Sequence, residues 1–338
     1  MMKNTDVIPA LVAGTQSTFP QSERPIGPGN KSRDDTLVWN WCKTSFRRSA
    51  IALSALFLLT SPAHAEDARI VSVGGSTTEI VYALGAESEL VGVDSTSLYP
   101  KAASEFPDVG YVRQLSAEGL LSLRPTLILA GAEAGPEAAL TQTEAAGVRI
   151  VKLDEGYTPG EVAEHIETVG AALGREEKAA EVADIFLADV KAVLAEVAKV
   201  KTHPRVLFML QAGRGPMLVS GKHTAASAMI ELAGGVNAVS EFSGYKPFSP
   251  EAATLAAPDV ILMTNETVEA LGGADAVFSQ AALAPTPAAQ NGNLVSMDAL
   301  YLAGFGPRLA HAIHDLAEKL HPEHEFTALP ARPWTEAE

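Results

Sequence analysis

Cysteine is nearly absent from this chain. The 338 residues include one cysteine, Cys42, which lies before an apolar run at 49–60, SAIALSALFLLT. The triplet Ala63-His64-Ala65 that follows the run fits the small-residue cleavage site of an export signal. Cleavage after Ala65 leaves a mature chain without cysteine, which excludes disulfides and cysteine-ligated zinc or iron–sulfur sites. An exported chain of this kind depends on its hydrophobic core for stability.

Long hydrophobic runs are missing as well. The run at 49–60 holds 12 residues, whereas a helix that spans a bilayer needs roughly 20 apolar residues. The sequence therefore predicts a cleaved signal rather than a membrane anchor, and export of the mature protein. The polar residues 1–46 are either a real extension or the result of a misassigned start. Arg47-Arg48 leaves Sec and twin-arginine export both open.

Positive charge is scarce. The chain has 25 Lys and Arg against 41 Asp and Glu, and the first 65 residues hold 7 and 4 of these. The 273 residues that remain after cleavage therefore carry 18 basic and 37 acidic side chains, a net charge of −19. A surface of this sign repels a phosphate backbone, so nucleic acid is excluded as a partner.

Short β-rich runs alternate with helical stretches along the mature chain. The runs are RIVSVG (69–74), ELVGVD (89–94), TLILAG (126–131), VRIVKL (148–153), RVLFML (205–210), DVILMT (259–264) and NLVSMD (293–298). Strands separated by helices indicate parallel sheets. Between the fourth and fifth runs, residues 174–201 contain no internal Gly or Pro and place apolar residues at spacings of three and four. The predicted fold class is α/β, with two lobes joined by one long α-helix.

Each lobe is expected to hold a mainly parallel sheet flanked by helices. The predicted boundaries are 1–65 for the extension and signal, 66–173 for the first lobe, 174–202 for the linking helix, 203–325 for the second lobe and 326–338 for a tail. We expect the mature protein to be a monomer.

The two lobes also share a short internal repeat. SAEGLLSLRPTLILA (116–130) and SPEAATLAAPDVILM (249–263) align without a gap and share Ser, Glu, Pro, Ile and Leu at five equivalent positions. Each segment reads as a Ser cap, a Glu in the first helical turn, a short helix, a Pro break and a buried strand. Capping alone explains Ser and Glu at a helix start. Glu118 and Glu251 nevertheless occupy matching places, a geometry suited to a two-fold partner.

Catalytic motifs are missing too. The sequence contains no G-x-S-x-G, no H-E-x-x-H and no G-x-x-x-x-G-K-[ST], so no nucleophile, base and orienting group are assembled in sequence. His311 and His314 are three residues apart in a helical stretch near the C-terminus, and a metal pair there is conceivable. Histidines on an amphipathic C-terminal helix more often serve surface or helix-capping roles.

Four stretches carry a family resemblance. They are DSTSLYPKAASEFPDVGYVRQLSAEGLLSLRPTLIL (94–129), GKHTAASAMIELAGG (221–235), GYKPFSPEAATLAAPDVILM (244–263) and YLAGFGPRLAHAI (301–313). They closely resemble the periplasmic haem-binding proteins of bacterial haem ABC importers, and the resemblance covers nearly all of residues 69–320. The wider group includes cobalamin- and siderophore-binding proteins and shares two α/β lobes joined by a single long helix, the same architecture that the alternation of runs predicts.

The resemblance implies a ligand for the tyrosine of the YP step. In that family this tyrosine is axial to ferric haem iron, and the role carries over to Tyr99. A phenolate is a hard anionic donor that suits Fe(III). Its free pKa of about 10 must fall, and the ferric ion supplies most of that shift. A cation such as Lys101 beside the phenolate adds to it, while Pro100 restricts the turn. Arg113 is a further cation near this loop.

Two departures from the family affect the expected haem contacts. Some members bind a second, stacked haem through a histidine in an HGG-like segment, where this chain has Ala212, so a single haem is favoured. Several relatives carry Arg in the segment that corresponds to residues 263–273, where this chain has Asn265 and Glu266. The second-lobe contacts to haem, including those to its propionates, are therefore assigned to three substitutes: Arg214, Tyr245 and Lys246.

The resemblance also implies a transport partner. In the wider group, a glutamate on each lobe meets arginines on the two subunits of an inner-membrane ABC permease that works with an ATPase, and Glu118 and Glu251 match those glutamates. The expected function is capture of ferric haem between the lobes and delivery to the permease. Two alternatives stay open: a cobalamin or ferric-siderophore receptor on the same scaffold, and an exported enzyme, for which no catalytic set is present.

Overall fold

The computed structural model describes residues 68–211, 216–247 and 249–336. The predicted export signal with its cleavage after Ala65 lies outside the described residues, as do Cys42, Ala212 and Arg214. Among the described residues, no helix combines the length and the hydropathy that membrane crossing requires.

The first lobe is a four-stranded parallel sheet with helices on it. Its elements are β1 (Ile70–Val73), α1 (Gly75–Ala83), β2 (Leu90–Val93), α2 (Ala117–Ser122), β3 (Leu127–Ala130), α3 (Glu137–Ala145), β4 (Arg149–Lys152) and α4 (Pro159–Leu173). The strand order is β2-β1-β3-β4, and every pair is parallel. β1 and β3 are buried along their whole length because helices cover both faces, which explains their continuous apolar sequences.

One helix links the lobes, as the sequence predicts. This helix, α5, spans Glu176–Val197 and buries an apolar stripe that includes Val182, Phe186 and Val190. The preceding helix α4 packs closely along it, since a Cβ added at Gly170 would come within 2.2 Å of the Ala179 side chain. Both helices contribute to one hydrophobic core that contains residues of both lobes. The lobe limits 66–173 and 203–325 stay a prediction.

The second lobe contains a mixed sheet. Its elements are β5 (Arg205–Gln211), β6 (Met217–Ser220), α6 (Ala225–Leu232), β7 (Val236–Asn237), β8 (Tyr245–Pro247), α7 (Pro250–Ala256), β9 (Val260–Thr264), α8 (Asn265–Leu271), α9 (Ala274–Phe278), α10 (Pro287–Asn291), β10 (Leu294–Met297), α11 (Ala299–Ala303) and α12 (Leu309–Leu320). The strand order is β10-β9-β5-β6-β8, with β7 beside β5. The predicted strands β5, β9 and β10 are parallel, whereas β6 and β8 are antiparallel additions.

The C-terminal segment packs back onto the fold. Trp334 is buried and donates its indole N–H to the Pro307 carbonyl at 3.1 Å. Arg332 donates two hydrogen bonds, of 2.8 and 2.7 Å, to the carboxylate of Asp189 on α5. The segment predicted as a tail therefore connects the start of α12 with the linking helix.

Candidate ligand-binding site between the lobes

A buried aspartate fixes the segment DSTSLYPK after β2. Asp94 accepts hydrogen bonds from Gly74 N at 2.7 Å and Ser97 Oγ at 2.8 Å on one oxygen. Its other oxygen accepts from Thr96 N at 2.9 Å and Thr96 Oγ1 at 2.6 Å. A carboxylate that receives this many donors is well compensated for burial. The loop therefore presents Tyr99 from a rigid base.

Tyr99 is half-buried and lies at the end of this loop. Its peptide bond to Pro100 is cis, and a 3₁₀ turn follows over Lys101–Glu105. Lys101 is exposed at the start of that turn and forms no ion pair with any described residue. It thus lies two residues after Tyr99 in the sequence, with its ammonium group exposed.

A second cation, not predicted from the sequence, packs directly on the tyrosine. The guanidinium carbon of Arg308 lies 3.6 Å from the centroid of the Tyr99 ring and 5.0 Å from that of Tyr301. The same guanidinium donates to both carboxylate oxygens of Glu79, at 2.6 and 3.0 Å. Glu79 and Tyr99 belong to the first lobe, and Arg308 and Tyr301 to the second, so the cluster joins the two lobes.

The Glu79–Arg308 pair is largely removed from solvent. The side chains are 4% and 12% exposed. Burial works against the charge of Arg308, but the hydrogen bonds and negative charge of Glu79 outweigh it and raise the pKa of the guanidinium. Arg308 is therefore a permanent cation against the tyrosine ring, and its bidentate geometry limits its rotation.

Two cavities flank this cluster. The smaller, of about 200 Å³, is lined by Glu79, Tyr82, Glu87, Tyr99, Pro100, Pro333 and Trp334. The larger, of about 420 Å³, is lined by Asp298, Tyr301, Arg308, His311, Leu329, Ala331 and Thr335. The C-terminal segment contributes to both cavities, which therefore depend on its packing.

A second polar group contains Arg113. Its guanidinium forms an exposed ion pair with Glu133, and the hydrogen bond to Glu133 raises the pKa of Arg113. Tyr245 of the second lobe is close enough for the charges of Glu133 and Arg113 to act on it, although burial is the main cause of its raised pKa. Arg113 is therefore within electrostatic range of Tyr245, one of the predicted second-lobe residues.

The other second-lobe candidates lie on the edge strand β8. Tyr245 and Lys246 are adjacent there. The ammonium of Lys246 lies 4.8 Å from the centroid of the Phe242 ring, and the Tyr245 ring packs edge-on to Phe208 at 6.4 Å between centroids.

The two histidines of α12 lie beside different groups. His311 Nε2 lies 3.1 Å from the Pro330 carbonyl. His314 instead lies beside Asp315 and Glu318, and one possible ligand atom from each of these three residues falls within 4.8 Å of the others. His311 therefore contacts the C-terminal segment, whereas His314 lies beside two acidic residues of its own helix.

The repeated glutamates occupy equivalent helix starts. Ser116 Oγ accepts from Gly119 N at 3.0 Å in the first lobe, and in the second lobe the Ser249 hydroxyl caps α7 in the same way. Glu118 and Glu251 are both exposed in the first turn of their helices. The pKa of Glu251 is lowered by backbone and Ser249 hydrogen bonds at the helix start. Capping explains these positions, and both carboxylates also remain accessible.

The sequence indicates Arg308 and Glu79 only weakly. Arg308 is a single charge in YLAGFGPRLAHAI, and Glu79 is a single charge in the helical stretch STTEIVYAL. A charged residue in an apolar segment requires a partner when it is buried. That rule indicates that each of these two residues needs a partner when it is buried. It cannot show that they partner each other, because they are 229 residues apart in the chain.

Comparisons with known proteins agree with this architecture. The chain is 42% identical to the periplasmic heme-binding protein BhuT in complex with two hemes, over 75% of this chain and 98% of that one, with a TM-score of 0.73. It is 37% identical to the periplasmic heme-binding protein RhuT from Roseiflexus sp. RS-1, over 76% and 98%, with a TM-score of 0.74.

A curated relative has a different ligand in its name. The chain is 32% identical over 188 residues to the vitamin B12-binding protein of Yersinia pestis, and the match covers 56% of this chain and 65% of that protein. The predicted resemblance to periplasmic haem-binding proteins is confirmed by the structural neighbours. The family described as periplasmic binding protein matches residues 70–301, and the chain belongs to that family.

Proposed function

We propose that this protein captures ferric haem between its two lobes and delivers it to an inner-membrane ABC permease. The observation that carries the proposal is Tyr99, which a rigid loop holds at the boundary between the lobes against a buried cation. A phenolate suits Fe(III), and a permanent positive charge beside it favours the anionic form of the ligand. The identity to heme-binding neighbours supports the same ligand.

The remaining cations suit the propionates of haem. Lys101 and Arg113 in the first lobe, and Arg214 and Lys246 in the second, are proposed to contact these carboxylates or the haem edge, with Tyr245 as a further second-lobe contact. Arg113 is already paired with Glu133, so its use requires that ion pair to open or to be shared. We propose one bound haem, because Ala212 stands where a second ligand histidine is expected, although BhuT is described with two hemes.

Delivery is proposed to use the repeated glutamates. A permease dimer presents two equivalent sites, and a carboxylate on each lobe can engage both together. Glu118 and Glu251 are exposed at equivalent helix starts, which supports this docking role. The proposal includes an exported monomer cleaved after Ala65, and an ATPase that works with the permease.

A second candidate ligand is cobalamin. The vitamin B12-binding relative favours it, and a ferric siderophore is the related alternative on this scaffold. The spectra separate these ligands, since a cobalt corrin and a tyrosine-ligated ferric haem absorb differently.

The test is purification from haem-supplied cells, followed by absorption spectroscopy and haem titration of the Tyr99→Phe variant. We expect a high-spin ferric, tyrosine-ligated spectrum for the wild type, and loss of most haem affinity in the variant, because the variant lacks the ligand oxygen. The thermal midpoint should change little.

Tyr111→Phe is the matched control, since Tyr111 is an exposed tyrosine of the same lobe. This variant should keep the wild-type spectrum and affinity. Retention of haem with an unchanged spectrum in Tyr99→Phe contradicts the ligand assignment, and a cobalt corrin spectrum in the purified protein replaces haem with cobalamin.

A further inference from the structure

We infer that Arg308 is a positioning residue for Tyr99, and that its contact with Glu79 makes the orientation of this haem ligand depend on contact between the lobes. The inference rests on the proposed function for its haem readouts. The stack itself is a property of the protein without haem, so it is testable separately.

The geometry restricts the tyrosine ring. A guanidinium 3.6 Å from the ring centroid is within the range of a strong cation–π contact. A plane stacked at this distance blocks one face of the ring and favours a narrow range of side-chain orientations. Tyr301 lies further from the same guanidinium, at 5.0 Å, so Arg308 favours Tyr99. A lysine cannot reproduce this arrangement, because its ammonium group has no plane to stack.

The position of Arg308 depends on the first lobe. Glu79 of α1 receives both hydrogen bonds of the fork, at 2.6 and 3.0 Å, and is almost fully buried. The guanidinium belongs to the second lobe, at the start of α12. Separation of the lobes at this point therefore breaks the ion pair and the stack together, and the Tyr99 ring loses its contact with the guanidinium in the same movement.

The turn before Arg308 fits closely against α1. A Cβ added at Gly306 would lie 3.1 Å from Glu79 Oε2 and 3.3 Å from the Ser76 Cβ, so a side chain there would press on the first lobe. From the other side, Trp334 donates its indole N–H to the Pro307 carbonyl. The turn is thus held between α1 and the C-terminal segment, and little freedom remains for Arg308.

The test compares two variants that remove the stack in different ways. Arg308→Lys keeps a cation but loses the plane and the fork. Glu79→Gln with Arg308→Met removes both charges, so no buried charge is left unpaired and folding is protected. In each we expect haem to dissociate about tenfold faster, the size of effect that a partly buried cation–π contact can account for. The high-spin ferric EPR signal should broaden as the ligand orientation becomes heterogeneous.

A readout without haem uses protein with ¹³C-labelled tyrosine rings. The Tyr99 resonances, assigned by their loss in Tyr99→Phe, should show slow ring flipping in the wild type and faster flipping in both variants. The matched control is Glu89→Gln with Arg175→Met, which removes another long-range ion pair of the first lobe and linking helix. This control should lower stability without changing the ring dynamics or the haem spectrum.

The outcomes separate the inference from the proposed function. Unchanged ring dynamics and haem dissociation in both Arg308 variants overturn the positioning role, whatever Tyr99→Phe shows. If the Tyr99 ring flips faster in the Arg308 variants but the wild type binds no haem, the positioning of Tyr99 by Arg308 is supported and haem is rejected as the ligand. Equal changes in the Glu89/Arg175 control would show that general destabilisation is the cause, and the inference would then be wrong.

Discussion

The two lobes contain the same hydrogen-bonded motif, whereas their sheets differ. In the first lobe Arg69, at the start of β1, donates to the carbonyls of Leu123 and Arg124 at 2.8 and 3.1 Å. In the second lobe Arg205, at the start of β5, donates to the Ala256 carbonyl at 3.0 and 2.8 Å. The repeat therefore includes an arginine that lies far outside the aligned segments and closes the C-terminus of the helix that follows the Ser cap.

The backbone of the repeat is duplicated as well. Arg124 has φ of 48° and Ala257 has φ of 40°, and each precedes the shared proline. Both residues adopt the left-handed conformation at the end of α2 or α7, where a non-glycine residue is uncommon.

The difference between the lobes lies in what surrounds this motif. The first sheet is wholly parallel, while the second adds the antiparallel strands β6 and β8. The first lobe contributes Tyr99, whereas the second contributes Arg308 and the residues of β8. The duplicated part carries the proposed docking glutamates, and the part that differs carries the proposed ligand contacts. The proposed docking and the proposed ligand binding therefore involve separate regions of each lobe.

The largest expected effect tests the duplicated part. The double variant Glu118→Arg with Glu251→Arg, which reverses both charges, should abolish transporter-dependent haem uptake. The reason is that removing one charge-assisted hydrogen bond from the docked complex costs about 2 kcal/mol or more. Haem affinity and the thermal midpoint should stay nearly unchanged. Uptake by cells and ATPase stimulation in proteoliposomes measure the effect, and each single reversal should give a partial loss.

Glu176→Arg is the control for this reversal, because Glu176 is an exposed glutamate in the first turn of α5. It makes the same change to helix-start charge without altering the repeat. Normal uptake by the double variant would show that Glu118 and Glu251 are helix-start residues only.

A smaller effect is expected for the arginines of the repeat. Arg69→Met and Arg205→Met should each lower the free energy of unfolding by about 2 kcal/mol, since each removes two charge-assisted hydrogen bonds to helix carbonyls. Denaturant titration measures both variants. Equal losses would show that the two arginines contribute equally to stability as well as adopting the same geometry. A loss in only one variant would show that the lobes share the geometry of the motif but not its contribution to stability.

The smallest expected effect concerns the left-handed residue of α7. Ala257→Gly should raise the free energy of unfolding by about 0.5 kcal/mol, because relief of the strained φ slightly exceeds the added entropy of an unfolded glycine. Ala253→Gly, at a buried helical position of α7, is the control and should be destabilising. A destabilised Ala257→Gly variant would mean that the backbone there is unstrained.

Much of the fold could be predicted because its signals are local. The seven predicted runs contain strands of the two sheets, and the spacing of Val182, Phe186 and Val190 predicted the buried face of the linking helix. The strands β6, β7 and β8 were missed. β7 and β8 are two and three residues long, which is too short for an alternation of apolar and polar residues to show. β6 has four residues, the same length as strands that were predicted, so its length does not explain why it was missed.

Of the cluster formed by Tyr99, Arg308, Glu79 and Tyr301, only Tyr99 was named from the sequence. Tyr99 was found because its loop sequence resembles a family, and Lys101 because it is two residues away. The cation that packs on the ring is Arg308, which reaches it through tertiary structure alone. Nor could the role of Asp94 be predicted, because one of the donors that fix it, the Gly74 amide, comes from outside its own turn.

The repeat also provides matched attachment points for distance measurements. Ser122 and Leu255 occupy equivalent positions near the ends of α2 and α7, and Leu255 is 86% exposed. The predicted mature chain has no cysteine, so a cysteine introduced at each position would be the only thiol on its lobe. A pair of spin labels there would report the separation of the lobes directly, with and without ligand, from two sites that move with the helices proposed to meet the permease.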